Sequence, residues 1–310
     1  MCAASAIAAE DQQPVSVGII GIGAMGLPIA RNLKRRGGAP FVRDIDAGAV
    51  REAAAAGLVA CDSAACLARK CDVVIVVVVD AGQIETVLFG EGDDPGVVHA
   101  RRSVDAPRQT VILCSTIAPE DSAGFGVRLA GHGIDTIDGP ISGGPARAER
   151  GEMTVIAAGE RLVIGRCEAL LKRMASRVFI VGERVGDGAR AKLVNNLLAG
   201  INLVAGAEAL ALGAQLGLDT RVLFDVIQAS SGSSWMFVDR MARALEGDFA
   251  PRARTRILTK DVELALRMAE AAGIAAPLAA RALAVLQATV AGGMGEDDDA
   301  SVIRTLNPSF

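Results

Sequence analysis

Seven consecutive residues, Val73–Val79, are all valine or isoleucine. A strand with one face in water alternates apolar and polar side chains, and this one cannot. It reads as a strand buried on both faces, which requires a parallel sheet covered by helices on each side. Its carboxyl end, Val78–Val79–Asp80, should open into the crevice where such sheets bind ligands. Hydrophobic residues make up 51 % of the 310, and mean hydropathy is +0.37. Much of that is Ala and Val, as suits a covered sheet with an apolar helical part. The length allows two domains or one large one.

Upstream, VSVGII (15–20) is a short apolar run that ends at GIGAMG. The spacing is G-x-G-x-x-G at Gly21, Gly23 and Gly26, followed by the helical pattern LPIARNLKRRG. The triplet alone is a weak signal, but a strand precedes it and a helix follows. A second strand, PFVRD, brings Asp44 to the place where an acid meets ribose hydroxyls. In that arrangement Gly21 makes the tight turn and Gly23 lets the backbone approach a pyrophosphate. Gly26 lets helix and strand pack closely, and Ile22, Ala24 and Met25 complete the loop. The expected cofactor is NAD, because the Asp44 carboxylate would repel a 2′-phosphate and Ile45, not Arg, follows it. Arg43 is near enough to leave NADP open.

Further strands are expected at Leu58–Ala60, TVILCST (110–116), IDTID, TVIAAG and RVFIVG, the last closing at Gly182. Segment 91–107 reads as loop. Ser115–Thr116 falls at a strand end, where hydroxyls usually cap the next helix and could also reach a nicotinamide. The run Ser142–Gly143–Gly144–Pro145 follows a strand. It is an ordinary tight turn or an anion-binding nest of backbone N–H groups.

From Gly188 to Leu216 the chain is Ala- and Leu-rich without Pro, which predicts a helix of roughly 40 Å at 1.5 Å per residue. Lys192 and Asn196 share a face, with Asn195 beside them. By themselves they are solvent-facing residues near a helix end, or a polar site in an apolar helix. Later segments DTRVLFDVIQAS, SSWMFVDRMARALEG, ILTKDVELALRMAEAAG and PLAARALAVLQATVAGG carry helical spacing. Lys260–Asp261 reads as a surface ion pair and Trp235 as core. The organisation expected is α/β. A disordered tail (1–14) precedes a Rossmann-type NAD-binding domain (15–182) and an all-helical domain (183–295) that opens on the long helix. An acidic, solvated tail (296–310) ends the chain.

A net charge of −4 with interspersed signs argues against nucleic acid as a partner. No run of about eighteen uninterrupted apolar residues suggests a bilayer span, and the N-terminus lacks a basic n-region. The six cysteines include no CxxC, and those at 61, 66 and 71 would point apart on a helix. With two histidines only, neither a metal site nor a His base is expected; free thiols suit the cytoplasm.

In order along the chain, GIGAMGLPIARNL, VVVVDAGQIETVLFG, STIAP, DGPISGG, GERVGDGARAKLVNN and LTKDVELAL resemble the β-hydroxyacid dehydrogenases. That family includes 3-hydroxyisobutyrate dehydrogenase and tartronate semialdehyde reductase. The resemblance spans Val15 to Gly292 and implies a long interdomain helix leading to a helical substrate and oligomerisation domain, in a dimer or tetramer acting on a small hydroxy acid. It implies Lys192 as catalytic acid/base, Asn195 and Asn196 holding substrate, and Ser142, Gly143 and Gly144 taking its carboxylate. Thr116 and Lys260 would contact the cofactor, as would Val78 and Val79, where many members have Leu-Pro. Lys192 argues against the related imine reductases, and SSWMFVDRM is similar to the branch acting on four-carbon sugar acids such as L-threonate. The reaction expected is NAD(P)-dependent oxidation of a short β-hydroxy acid. The alternatives are reduction of tartronate semialdehyde and a dinucleotide-binding module without turnover.

Overall fold

The computed structural model describes residues 15–103 and 106–310. The tail expected at 1–14 lies outside the described residues. The first part of the chain alternates β1 (Val17–Ile20), α1 (Gly26–Arg35), β2 (Phe41–Arg43), α2 (Ala47–Ala55), β3 (Val59–Ala60), α3 (Ala64–Lys70), β4 (Val73–Val76) and α4 (Ala81–Phe89). It continues with β5 (Thr110–Leu113), α5 (Pro119–Gly131), β6 (Asp135–Asp138), β7 (Ile141–Ser142), α6 (Gly144–Arg150), β8 (Met153–Ala158), α7 (Arg161–Met174) and β9 (Ala175–Gly182). The strands form one sheet in the order β3-β2-β1-β4-β5-β6-β8-β7, with β9 on β8. Strands β1 to β6 pair in parallel, while β8 runs antiparallel to β6 and β7.

Strand β4 is buried on both faces, as a wholly apolar run demands. Alternate side chains serve two cores. Ile75 joins Ile19, Ile112 and Ile137 beneath α1 and α7. Val74 and Val76 join Val111 and Leu113 on the face carrying α3, α4 and α5. The strand stops at Val76 rather than Val79, because the backbone beyond it turns to meet the neighbouring loops. Val78 N–H donates to Ser115 Oγ (3.1 Å), and Val79 N–H donates to the Gln83 amide oxygen (2.9 Å).

The helical part follows as α8 (Asp187–Gln215), α9 (Thr220–Gln228), α10 (Ala242–Leu245), α11 (Thr255–Ala271), α12 (Pro277–Thr289) and α13 (Val302–Leu306). Helix α8 has the length and apolarity to cross a membrane. Here it is the axis of the domain, its Leu203, Val204, Ala207 and Leu210 buried against α11, α12 and α13. At Gly206 an added Cβ would lie 2.8 Å from the Phe237 ring, so the missing side chain sets how closely that segment packs.

Three expectations fail here. Residues 296–310 are no solvated tail: Asp298 and Asp299 are 0 % and 2 % exposed, and Val302 and Ile303 are core. The acids are consumed internally. Asp298 accepts the Arg252 and Ala253 amides (2.9 and 3.1 Å) and pairs with Arg243 (2.8 Å), while Asp299 accepts from Arg240 Nε at 2.5 Å. Trp235 is not core; it is 53 % exposed, with the Arg240 guanidinium 5.6 Å from its ring centroid. Cys61 lies ahead of α3 rather than on it, so its thiol meets that of Cys66 instead of diverging. Both thiols are free, and burial pushes that of Cys71 up to about 12.

Candidate active site

Two groups of residues line the carboxyl side of the sheet. The first surrounds the glycine turn. Gly21 has φ +87°, and a Cβ there would stand 2.3 Å from the Val77 carbonyl oxygen. A Cβ on Gly26 would stand 1.9 Å from the Gly21 carbonyl, so strand and helix could not approach with alanine at that position. At Gly23, in contrast, a Cβ would meet no protein atom within 4 Å. The protein does not need glycine there, whereas a ligand approaching the backbone would. Helix α1 has no side-chain cap at Met25, so no side chain competes with an anion at its N-terminus. Ile22 is buried, Ala24 is exposed and Val78 is half-buried beside the turn. Asp44 Oδ2 accepts the Ile22 N–H at 2.7 Å and Oδ1 the Asp46 N–H at 2.9 Å, fixing the acid over the turn. These features fit a dinucleotide, with the pyrophosphate on the turn and the ribose at Asp44.

The second group joins the two domains. Lys192 and Asn196 are not solvent-facing; they are 6 % and 8 % exposed on α8. Asn196 Nδ2 donates to Asp261 Oδ2 at 2.7 Å, and Asn195, itself exposed, donates to Asn196 Oδ1 at 3.0 Å. Asp261 is buried within α11, so Lys260–Asp261 (2.9 Å) is not a surface pair. Lys260 Nζ also donates to the Thr116 carbonyl at 2.6 Å, tying α11 to the chain leaving β5. No acceptor among the described residues lies within hydrogen-bonding distance of the Lys192 ammonium. Burial pulls its pKa below the ordinary lysine value and the Lys260 charge adds to that, while Asp261 works against both.

Sequence reasoning missed two residues. Asp261 was the neighbour of a lysine on an exposed helix, and its burial against α8 has no local signal. Asp138 ends β6, and its carboxylate accepts the Gly186 and Ala189 amides (2.8 and 2.9 Å) at the start of α8. Burial raises its pKa although those amides lower it. A carboxylate before the GPISGG turn was a visible hint, since helix N-termini favour anions. Conversely, Ser115 and Thr116 do not cap α5, whose N-cap is Ala118; the Ser115 hydroxyl secures the loop after β4 instead. Gly143 (φ +136°) and Gly144 (φ +72°) lie at the start of α6 with Ser142 before them, in backbone conformations other residues rarely adopt. No hydrogen bond links this turn to Lys192 among the described residues.

A largely parallel sheet with a glycine turn and an acid held over it, tied through α11 to a buried lysine, defines a two-domain dinucleotide-dependent oxidoreductase. Comparison with known proteins refines the class. Residues 16–182 match the family model described as the NAD binding domain of 6-phosphogluconate dehydrogenase. Residues 186–306 match that of the NAD-binding region of NADP-dependent 3-hydroxyisobutyrate dehydrogenase. L-threonate dehydrogenase of Escherichia coli K12 is 37 % identical over 94 % of each chain. The 3-hydroxyisobutyrate dehydrogenase of Pseudomonas aeruginosa is 34 % identical over 86 % of this chain and 89 % of its own. Among solved structures, a 3-hydroxyisobutyrate dehydrogenase from Salmonella typhimurium superposes with a TM-score of 0.85 at 34 % identity, covering 94 % of this chain and 99 % of its own. The chain belongs to the β-hydroxyacid dehydrogenases and is an NAD(P)-dependent enzyme acting on the CH–OH group of a hydroxy acid.

Proposed function

We propose that the substrate is a short β-hydroxy acid, L-threonate or 3-hydroxyisobutyrate in type, and that Lys192 takes the hydroxyl proton. The observation that carries this is the Lys192 amine, buried, without an acceptor among the described residues and beside the Asn196–Asp261 pair. Gly21, Gly23 and Gly26 with Asp44 would hold the dinucleotide, and Val78, Val79, Thr116 and Lys260 would flank its nicotinamide end. When bound, NAD supplies the hydride acceptor for the carbon that loses its hydroxyl proton. Ser142 and the Gly143–Gly144 amides would fix the carboxylate, and Asn196, with Asn195, the hydroxyl end. That double anchorage orients the carbinol toward Lys192. A lysine normally titrates near ~10.4, so a neutral amine near pH 7 needs the desolvation found here. In the reverse direction the protonated amine donates to the forming hydroxyl.

The L-threonate relatives favour a four-carbon sugar acid. A panel of L-threonate, 3-hydroxyisobutyrate and L-serine with NAD, followed by NADH absorbance, tests the reading; the reverse assay with tartronate semialdehyde tests the reductive alternative. Turnover of none of them would overturn it. We also infer a cytoplasmic homodimer or homotetramer. Support comes from the free thiols and from apolar side chains left exposed on α8 and β9, among them Leu198, Leu212, Phe179 and Ile180.

A further inference from the structure

Arg43 ends β2 and Asp44 follows it, so guanidinium and carboxylate are borne by adjacent residues at the strand end. Asp44 faces the glycine turn. Arg43 is held elsewhere: Nη1 donates to the Asp44 backbone carbonyl, and Nη2 donates to Asp94 Oδ2 at 3.3 Å. Asp94 stands in a tight turn closed by reciprocal backbone bonds between Glu91 and Asp94 (3.2 and 3.0 Å). The next residue, Pro95, accepts the Ala65 N–H at 3.0 Å, so the turn is anchored to α3. The Arg43 side chain is only 18 % exposed as a result. A guanidinium at this end of β2 is the group best suited to grip a 2′-phosphate, since its planar fork matches phosphate oxygens. Here that fork is already engaged.

We propose that Asp94 is a specificity-determining residue for the cofactor. By holding Arg43 it withholds the guanidinium next to Asp44 from a 2′-phosphate and so sustains preference for NAD. The inference rests on the reading of Asp44 as the ribose acid, but the two acids act differently. Asp44 repels a 2′-phosphate directly, whereas Asp94 removes the cation that would offset that repulsion.

The experiment is a fluorescence titration of NADH and NADPH against wild type, Asp94→Asn, Arg43→Ala, the double variant and Asp44→Asn. Asp94→Asn should tighten NADPH by about tenfold, the worth of one additional charge-assisted hydrogen bond, with NADH within about twofold. The tightening should vanish in the Arg43→Ala background, which a general loosening of the turn would not predict. Unchanged NADPH affinity in Asp94→Asn overturns the proposal, as does an equal tightening without Arg43. Asp44→Asn is read separately: an NADH-to-NADPH ratio unchanged from wild type would refute the ribose acid, whatever Asp94→Asn does.

Discussion

Asn196 donates to Asp261 at 2.7 Å across the seam between α8 and α11, with the Lys192 amine one turn away on α8. The bond fixes the carboxylate near the Lys192 amine, where it offsets part of the lowering that burial imposes. The site's proton affinity is therefore a balance among Lys192, Lys260 and Asp261.

Replacing Lys192 with alanine should lower kcat by about 10²–10⁴-fold, the usual worth of a positioned acid or base. NADH binding, followed by fluorescence, should persist within a few fold. A kcat near that of wild type would remove Lys192 from the chemistry.

For oxidation the lysine must be neutral, so kcat/KM should fall as pH drops through its lowered pKa. Asp261 favours the charged amine, and Asp261→Asn should therefore move that acid limb to lower pH. A limb that stays fixed or moves upward would contradict the assigned balance. The pH profile separates this effect from simple loss of packing.

Asp138 accepts two amides at the start of α8. Asp138→Ala would leave them buried and unpaired, at a cost of about 2–3 kcal/mol. The urea midpoint should fall accordingly, and Asp138→Asn, which keeps one acceptor, should lose less.

Asp299 is buried beside Asp298, and desolvation pushes its pKa up to about 7 despite Arg240. An unfolded aspartate titrates near ~3.9, so the folded chain binds the extra proton between these values. The stability it confers is complete below the lower value and is lost as pH rises toward about 7. Wild type should therefore be more stable relative to Asp299→Asn at pH 5 than at pH 8. Equal differences at the two pH values would show that Asp299 is ionised throughout.

Much of the fold was legible in the sequence because its determinants are local. Val73–Val76 could only be a covered strand, the Gly21–Gly26 spacing could only serve a tight strand-to-helix turn here, and α8 followed from composition. Some polar positions were not legible because propensity says nothing about what packs against a face. Lys192 and Asn196 stayed open between a solvent-facing and a site reading, Asp261 looked like a surface residue, and the terminal acids looked like a tail until Arg240 and Arg243 met them.

By itself the sequence determined the parallel core of a sheet, a glycine turn with an acid at the next strand end, and a long apolar helix carrying one lysine. Those are properties of neighbours along the chain, set by backbone geometry and side-chain periodicity. Tertiary structure alone decided that α11 lies on α8, that Asp261 meets Asn196 from 65 residues away, and that Lys192 is buried. Desolvation and charge pairing depend on what occupies the surrounding volume, and that volume is filled by segments far apart in sequence.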